Sequence, residues 1–395
     1  MARAVTRHLQ PIYAGMAPTI FEYMSGLARA HDAINLGQGF PDEPPHPDMI
    51  AAAARALAER SNQYPPAFGL PELRDAICRF YSRRQGLALA REQVIVTSGA
   101  TEALAAAILA LVGPGDEVIL FQPAYDSYAP MVRRAGGVPV PVALAPPAWR
   151  HDAERLAAAI TPRTRALILN DPLNPAGTVA SDAELAMIAD ACIRHDLVAI
   201  CDEVWEDVRF DGAPHRSLLS LPGMAGRAVK VGSAGKIFGL TGWKTGWICA
   251  APKMASALGR AHQFLTFTTP PALQWAVAEG LERPDAWFAA QRENWAASRA
   301  HLRGALASAG FAALPNAATW FVCIDLAASG IALSDHAFGE RAVREARVAS
   351  IPVSALFEGE GPRHILRLCF AKERAVLDEA VHRLAAFREK LRSES

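Results

Sequence analysis

Three features of the amino-acid sequence predict an α/β fold: a mostly parallel central sheet with helices on both faces, plus a smaller α+β domain. Short β-branched runs alternate with helical patterns between about residues 90 and 252, as in parallel strands joined by helical crossovers. After roughly residue 285 the alternation stops, and a long helix, a few short strands and a closing helix replace it. The 395 residues also exceed the roughly 250–300 at which a single hydrophobic core stops growing, so two domains are expected.

Taken in order, residues 1–45 read as an N-terminal arm that crosses onto the small domain. Its turn and extended material is Gly37-Gln-Gly39 and Pro41-Asp-Glu-Pro-Pro. Residues 46–284 are expected to form the large domain. Its strands are Val94–Thr97, Glu117–Phe121, Val138–Val142, Ala166–Leu169, Leu197–Cys201, Val229–Val231 and Trp247–Ala250. Glu102–Leu111 and Asp182–His195 carry the Ala- and Leu-rich pattern of amphipathic helices between them. Residues 285–395 are expected to form the small domain. A helix over about 284–309 leads to strands at Trp320–Ile324, Val348–Ala349 and Ile365–Cys369, then the last helix. No internal repeat or low-complexity linker interrupts this order.

Composition excludes several classes of function. Lys plus Arg equals Asp plus Glu at 40 each, so neither a nucleic-acid footprint nor a polybasic membrane patch is expected. The longest apolar stretch, Ala103–Val112, is far short of the roughly 20 residues of a bilayer span. Residues 1–18 lack the apolar region of a secretory signal. The six cysteines are scattered, without CxxC or metal spacing, and read as buried thiols of a reducing compartment. A cytoplasmic enzyme with locally placed charges is the expectation, and no metal is called for.

The chemistry is concentrated at the ends of the strands, where an open α/β sheet gathers its ligands. Ser233-Ala-Gly-Lys236 is followed eight residues on by Lys244 inside Thr241-Gly-Trp-Lys-Thr-Gly-Trp247, and Asp202-Glu203 closes the apolar run Leu197–Cys201. Alone, Lys236 would be an ordinary loop lysine and Asp202 a capping or salt-bridged carboxylate. Together they match what pyridoxal phosphate requires: an amine for its aldehyde, a carboxylate for its ring nitrogen, a hydroxyl and a cation for its phosphate. Ser98-Gly99-Ala100-Thr101 opens a helix after a strand, a phosphate-binding arrangement; the plainer alternative is Thr101 as an N-cap. Asn174 stands in Asn170-Asp-Pro-Leu-Asn-Pro-Ala-Gly177 and can donate to the ring oxygen, while Tyr125 can stack on the ring. Arg367, among apolar neighbours in the late strand, can clamp a carboxylate, the alternative being an arginine paired to Asp or Glu. Walker A fails, because no glycine lies five residues before Gly235 and Ile237 follows the lysine. No GxGxxG follows a strand either.

With these residues assembled, the chain resembles the fold-type-I, class I/II aminotransferases, and within them the kynurenine aminotransferase (glutamine transaminase K) and bacterial methionine aminotransferase branch. The resemblance rests on Ile34-Asn-Leu-Gly-Gln-Gly-Phe-Pro-Asp42, Asn62-Gln-Tyr64, Leu73-Arg-Asp-Ala-Ile77, Ala124-Tyr-Asp-Ser-Tyr-Ala-Pro130, Gly232–Trp247 and Arg367-Leu-Cys-Phe-Ala-Lys372. It implies the transferase fold of that type, pyridoxal 5'-phosphate as cofactor and Lys236 as the lysine that holds it. It further implies Asp202 on the ring nitrogen, Asn174 on the ring oxygen and Tyr125 on the ring face. Gly99, Ala100, Ser233 and Lys244 would surround the phosphate, with Thr101 also on the cofactor, and Tyr64 would reach the phosphate of the neighbouring subunit in a homodimer. Arg367 and Asn170 would hold the substrate carboxylate, and Phe21, Gly39 and Phe267 would line the substrate side.

One departure stands out: the family's Asp-Glu-Val-Tyr is Asp202-Glu-Val-Trp205 here, so an indole replaces the tyrosine that donates to the ring oxygen. Thr101 also replaces an aromatic of the kynurenine enzymes. Phe21 and Phe267, without a second arginine clamp, favour an aromatic or thioether L-amino acid of the kynurenine, glutamine, methionine or phenylalanine type. Its amino group would pass to a 2-oxo acid by a ping-pong mechanism. N-succinyldiaminopimelate aminotransferase and a cysteine-conjugate β-lyase on the same site are the alternatives. A non-catalytic regulator is disfavoured, because the arm before Gly37 is too short for a winged helix.

Overall fold

The computed structural model describes residues 8–394, so the first seven residues of the expected N-terminal arm lie outside the described residues. The large sheet holds seven strands in the order β2-β8-β7-β6-β5-β3-β4: β2 (Val94–Thr97), β3 (Glu117–Gln122), β4 (Val138–Ala143), β5 (Thr164–Asn170), β6 (Val198–Asp202), β7 (Ala228–Ser233) and β8 (Gly246–Cys249). Neighbours pair in parallel except β8, which runs antiparallel to both β2 and β7. Pro139 and Pro141 cannot donate to a ladder, and β4 sits at the sheet edge where that omission costs least.

Side chains of successive residues feed two cores. Ile95, Val118, Ile168, Ile200, Val229 and Ile248 point into one; Val96, Ile119, Leu167, Ala199, Ala228 and Trp247 point into the other. Both faces are therefore covered, as the near-continuous apolar runs require. The covering helices begin where the sequence offers caps. Ser181 and Glu184 form a reciprocal capping box before Asp182–Arg194. Gly99–Leu111 starts without a side-chain cap at Ser98, and Thr101 lies within its first turn. Thr101 is thus not the N-cap that a local reading allowed, and the first N–H groups of that helix stay open toward the sheet edge.

A second, four-stranded antiparallel sheet has the order β12-β13-β10-β9: β9 (Ala312–Ala313), β10 (Phe321–Asp325), β12 (Ile351–Pro352) and β13 (Ile365–Cys369). Helices Asp285–Ser308 and Arg374–Glu394 flank it. The N-terminal segment joins this part of the molecule through β1 (Ile34–Asn35), which pairs in parallel with β11 (Val348–Ala349). Strands β1, β9 and β12 have two residues each, too few for any periodicity to announce them. All six cysteines are free, and all but the half-buried Cys78 are buried. No helix among the described residues is long and apolar enough to cross a membrane.

The antiparallel course of β8 is what builds the site. Gly246 pairs with Thr97 and with Ser233, so the residues just before β8 meet the carboxyl ends of β2 and β7. A Cβ on Gly246 would lie 2.7 Å from Gly99 C and 2.9 Å from Ala100 N, and backbone atoms have little freedom to yield. Gly246→Ala is therefore expected to destabilise the fold by about 1–3 kcal/mol through overpacking, read from urea denaturation. An unchanged midpoint would show that the Gly99 helix shifts freely.

Candidate active site

The carboxyl edge of the large sheet opens into a cavity of about 490 Å³. It collects Phe21, Gly39, Gly99, Ala100, Thr101, Tyr125, Asn170, Asn174, Asp202, Trp205, Ser233, Lys236, Lys244 and Arg367. Phe267, expected on the substrate side, and Tyr64, expected at the neighbouring subunit's phosphate, both lie outside this cavity. Tyr64 is 82% exposed and Phe267 42% exposed, their rings in edge contact at 5.4 Å. The single chain does not bring Phe267 to its own substrate side.

Lys236 follows β7 in the short helix Ala234–Ile237. Its Nζ donates to Gly39 O at 3.3 Å and lies 4.7 Å and 5.2 Å from the ring centroids of Trp205 and Trp320. Burial lowers its pKa to about 8, with the positive charges of Arg367 and Lys244 acting the same way. Asp202 ends β6, where its Oδ2 accepts a 2.5 Å bond from Tyr128 Oη and its Oδ1 a 3.5 Å bond from Val204 N. Burial pushes its carboxyl up, and the Tyr128 hydrogen bond opposes that shift. No cation pairs with Asp202 among the described residues and a turn rather than a helix follows it, so it is neither a salt-bridge partner nor a helix cap.

Asn170 and Asn174 share the loop after β5. Asn170 Nδ2 donates to Asp202 O at 2.9 Å and its Oδ1 accepts from Asn174 N at 2.8 Å. Asn170 therefore braces the loop, and because its NH2 carries two N–H donors, one remains for a ligand in the cavity that Asn170 lines. Arg367 Nη1 donates to Asn174 Oδ1 at 2.9 Å. An arginine has only donors, so this contact fixes the Asn174 amide and leaves Nδ2 as the end available to a ligand.

Arg367 is 2% exposed and lies between the rings of Phe21 and Phe321, at 4.9 Å and 3.9 Å. Nη2 donates to Gly37 O at 2.5 Å, whereas Nε is buried without a partner. No carboxylate pairs with it among the described residues, which removes the alternative of a strand arginine in an ordinary ion pair. Burial lowers its pKa to about 10, and an unpaired buried donor next to a cavity invites an anion.

At the other end of the cavity, Lys244 adopts a left-handed conformation (φ 52°). A Cβ on Gly99 would meet Lys244 Cε and Nζ, each at 3.2 Å; glycine leaves that space at the helix N-terminus. Ser233 Oγ adds a hydroxyl. Open N–H groups, an ammonium and a hydroxyl suit a phosphate, and Asp202 and Lys236 in the same cavity suit a protonated ring nitrogen and an aldehyde. The donor set thus fits pyridoxal phosphate.

Tyr125 packs against Phe21 and Tyr128, with centroids at 6.2 Å and 5.9 Å, and burial pushes its hydroxyl up to about 12. Trp205 turns its ring face to Lys236 and packs on Trp320 and Phe321 at 5.0 Å and 5.3 Å. Its N–H makes no hydrogen bond among the described residues. Gly39 is required because a Cβ there would lie 2.6 Å from Phe321 Cζ.

Sequence reasoning missed Tyr128, Asp126, Thr19, Gln38 and Phe321, all of which line the cavity. No helical spacing announced Tyr128, because Tyr125 lies in the turn before the helix Tyr128–Arg134.

The family model for aminotransferase class I and II matches residues 31–384. The chain is 43% identical to a probable N-succinyldiaminopimelate aminotransferase, DapC, of Mycobacterium tuberculosis, over 95% of this chain and 97% of the relative. It is 35% identical to kynurenine–oxoglutarate transaminase 1 of Rattus norvegicus, over 95% and 97%. The solved structure of YbdL from Escherichia coli, with a methionine aminotransferase function, superposes with a TM-score of 0.92 at 38% identity, covering 96% of this chain and 99% of that one.

Tyr128→Phe removes the 2.5 Å bond to Asp202 and lets burial raise the Asp202 carboxyl further. Cofactor affinity is expected to fall about tenfold or more at neutral pH, since a hydrogen bond to a charged group is worth about 1.5–3 kcal/mol. As pH is lowered, the variant should lose pyridoxal phosphate at a higher pH than the wild type, because its Asp202 protonates first. Equilibrium dialysis against pH measures both, and superimposable profiles would remove Tyr128 from this role.

Proposed function

The chain belongs to the class I and II aminotransferase family, and we propose that it moves the amino group of an aromatic or thioether L-amino acid to a 2-oxo acid in two ping-pong half-reactions. The observation that carries this reading is Arg367: buried, free of any carboxylate among the described residues, its Nε unpaired, in the same cavity as a lysine whose pKa burial lowers to about 8. One group is suited to the α-carboxylate of an amino acid, the other to the proton on its Cα.

Pyridoxal 5'-phosphate, the family's cofactor, supplies when bound the aldehyde that takes up the amino group and a ring that accepts the electron pair released at Cα. The chain's own residues do the rest. We assign Asp202 to the ring nitrogen, Asn174 Nδ2 to the ring oxygen and Tyr125 to the ring face. Gly99, Ala100, Thr101, Ser233 and Lys244 are assigned to the phosphate. Arg367 fixes the substrate carboxylate, so that the Cα–H bond is presented to Lys236. Lys236 Nζ takes that proton and returns it on the far side of the transfer, which its lowered pKa makes feasible near neutral pH. Trp205 walls the lysine rather than donating to the ring, and the buried aromatic surface keeps water out.

The side-chain end of the cavity supports a neutral substrate. Among the described residues the cations lining the whole cavity are Lys236, Lys244 and Arg367, all assigned already, while Asp126 adds a carboxylate and Phe21 an apolar ring. N-succinyldiaminopimelate, with its extra carboxylates, is the second reading, favoured by the 43% identity to the mycobacterial relative. A β-lyase reaction would use the same residues. We further propose residues 46–284 as the cofactor-binding domain, 285–395 with the N-terminal arm as the small domain, and the cytoplasm as the compartment.

Single-turnover bleaching of the bound-cofactor absorption tests the substrate class. Methionine, phenylalanine and kynurenine should react faster than aspartate, and a preference for N-succinyldiaminopimelate over all of them would hand the assignment to the second reading. Arg367→Lys should raise KM about tenfold or more with the cofactor spectrum unchanged, since a lysine loses the two-point geometry of a charge-assisted pair worth about 1.5–3 kcal/mol. An equal effect on an amine lacking the carboxylate would mean that Arg367 is not the clamp.

The homodimer, with Tyr64 reaching the neighbouring phosphate, is supported by the exposure of Tyr64 outside its own cavity. Mixing Lys236→Ala with Tyr64→Ala protein gives dimers in which one site has both its own lysine and the partner chain's tyrosine. Activity above that of either variant alone is expected after exchange, and simple averaging would place Tyr64 outside the shared site.

A further inference from the structure

Beneath the cavity floor, the segments that carry its residues meet in one buried polar network. The turn after β6 faces two ways. Asp202 and Trp205 line the cavity, whereas Glu203 and Glu206, equally buried, reach Lys230 on β7, whose side chain is 0% exposed. Lys230 Nζ donates to Glu203 Oε2, and to Glu206 Oε2 at 2.5 Å. Burial alone would lower the Lys230 pKa, yet the two carboxylates hold it above the ordinary lysine value, and Lys230 helps bring Glu203 down to about 2 against its own burial.

The network reaches the neighbouring segments. Tyr81 Oη donates to Glu206 Oε1 and accepts from Trp247 Nε1, both at 2.7 Å, which ties in β8. On the other flank, His215 Nε2 lies 2.9 Å from Glu203, and its Nδ1 4.0 Å from Asp171 in the loop of Asn170 and Asn174. Lys230 itself stands three residues before Ser233 on the strand that leads to Lys236.

We propose that Lys230 is a positioning residue: clamped between Glu203 and Glu206, it fixes the turn that aims Asp202 and Trp205 into the cavity, so that the cofactor site is aligned from below. Apolar side chains of similar volume fill such a space without the desolvation cost of charges. What they lack is direction: an ammonium between two carboxylates sets where both backbone positions lie, and a half-satisfied network moves them. The inference rests on the assignment of Asp202 to the cofactor ring.

The test uses the full chain with Lys230→Met and, separately, Tyr81→Phe, which removes one hydroxyl and keeps the ring. Pyridoxal phosphate affinity is measured by equilibrium dialysis, the pH midpoint of the bound-cofactor absorption by titration, and apo-protein stability by thermal unfolding. Lys230→Met should weaken cofactor binding about tenfold or more, the scale on which outer partners orient inner ligands, and should displace the absorption midpoint. Tyr81→Phe should do the same several-fold less. A folded Lys230→Met protein with unchanged affinity and midpoint, however much its thermal stability falls, would overturn the proposal. Should that variant not fold, unchanged readouts in Tyr81→Phe would overturn it equally. Neither readout needs turnover, so a wild type that binds the cofactor but transfers no amino group would defeat the proposed function and leave this result standing.

Discussion

Register between strands is the constraint on which the rest of the molecule depends. Parallel strands of one sheet end on the same edge, and Asn170 of β5 stands opposite Asp202 of β6, which stands opposite Val231 of β7. Segments far apart in sequence therefore deliver their terminal residues to one place. The antiparallel β8 enters at that same edge and adds Lys244 beside the Gly99 helix. Because side chains alternate in a strand, a slip of one residue would turn Asp202 into the apolar core and a hydrophobe into the site. The continuous packing on both faces of the sheet holds the register against that slip.

Burial then decides the chemistry of the groups so gathered. Taken out of water, a lysine gives up its proton more readily, an arginine becomes hungry for an anion and a carboxylate resists ionisation. Lys236, Arg367 and Asp202 shift in those directions, each with burial as the largest cause. Their local partners differ. Asp202 has the Tyr128 hydroxyl, Arg367 has an asparagine and a backbone carbonyl, and Lys236 has aromatic faces. None of these partners neutralises a charge, so each group keeps an unmet demand that a ligand can meet. The paired charges lie one layer deeper, in Lys230, Glu203 and Glu206, where they brace rather than react.

The two ends of the cavity divide recognition between them. Open helix N–H groups, Lys244 and Ser233 make one end suited to a phosphate, whereas Phe21, Phe321 and Arg367 make the other suited to an amino acid that is apolar beyond its carboxylate. Tyr64 and Phe267 lie together on the exposed surface of the single chain.

From the sequence alone, the alternation of β-branched and helical runs was enough to set the sheet and its helices, since burial on both faces demands continuous apolar strands. Lys236, Asp202, Asn174 and Lys244 were legible as cavity residues because charged or polar residues near the ends of such strands have few other reasons to be there, and Arg367 because it is a charge in the middle of an apolar strand. The sequence could not tell that Asn170 engages its amide with backbone, that Thr101 lies inside a helix, or that Trp205 shows its face to the lysine; each depends on side-chain directions set by contacts across the fold. The two-residue strands β1, β9 and β12 left no periodic trace, and Tyr128 became a partner of Asp202 only once β6 and the helix Tyr128–Arg134 were packed together. Lys230 read as an ordinary strand residue, because its meaning comes from two carboxylates on a neighbouring turn. Local pattern determines which elements form and which residues end them; which side chains face one another is decided by long-range packing, and only the tertiary structure carries that.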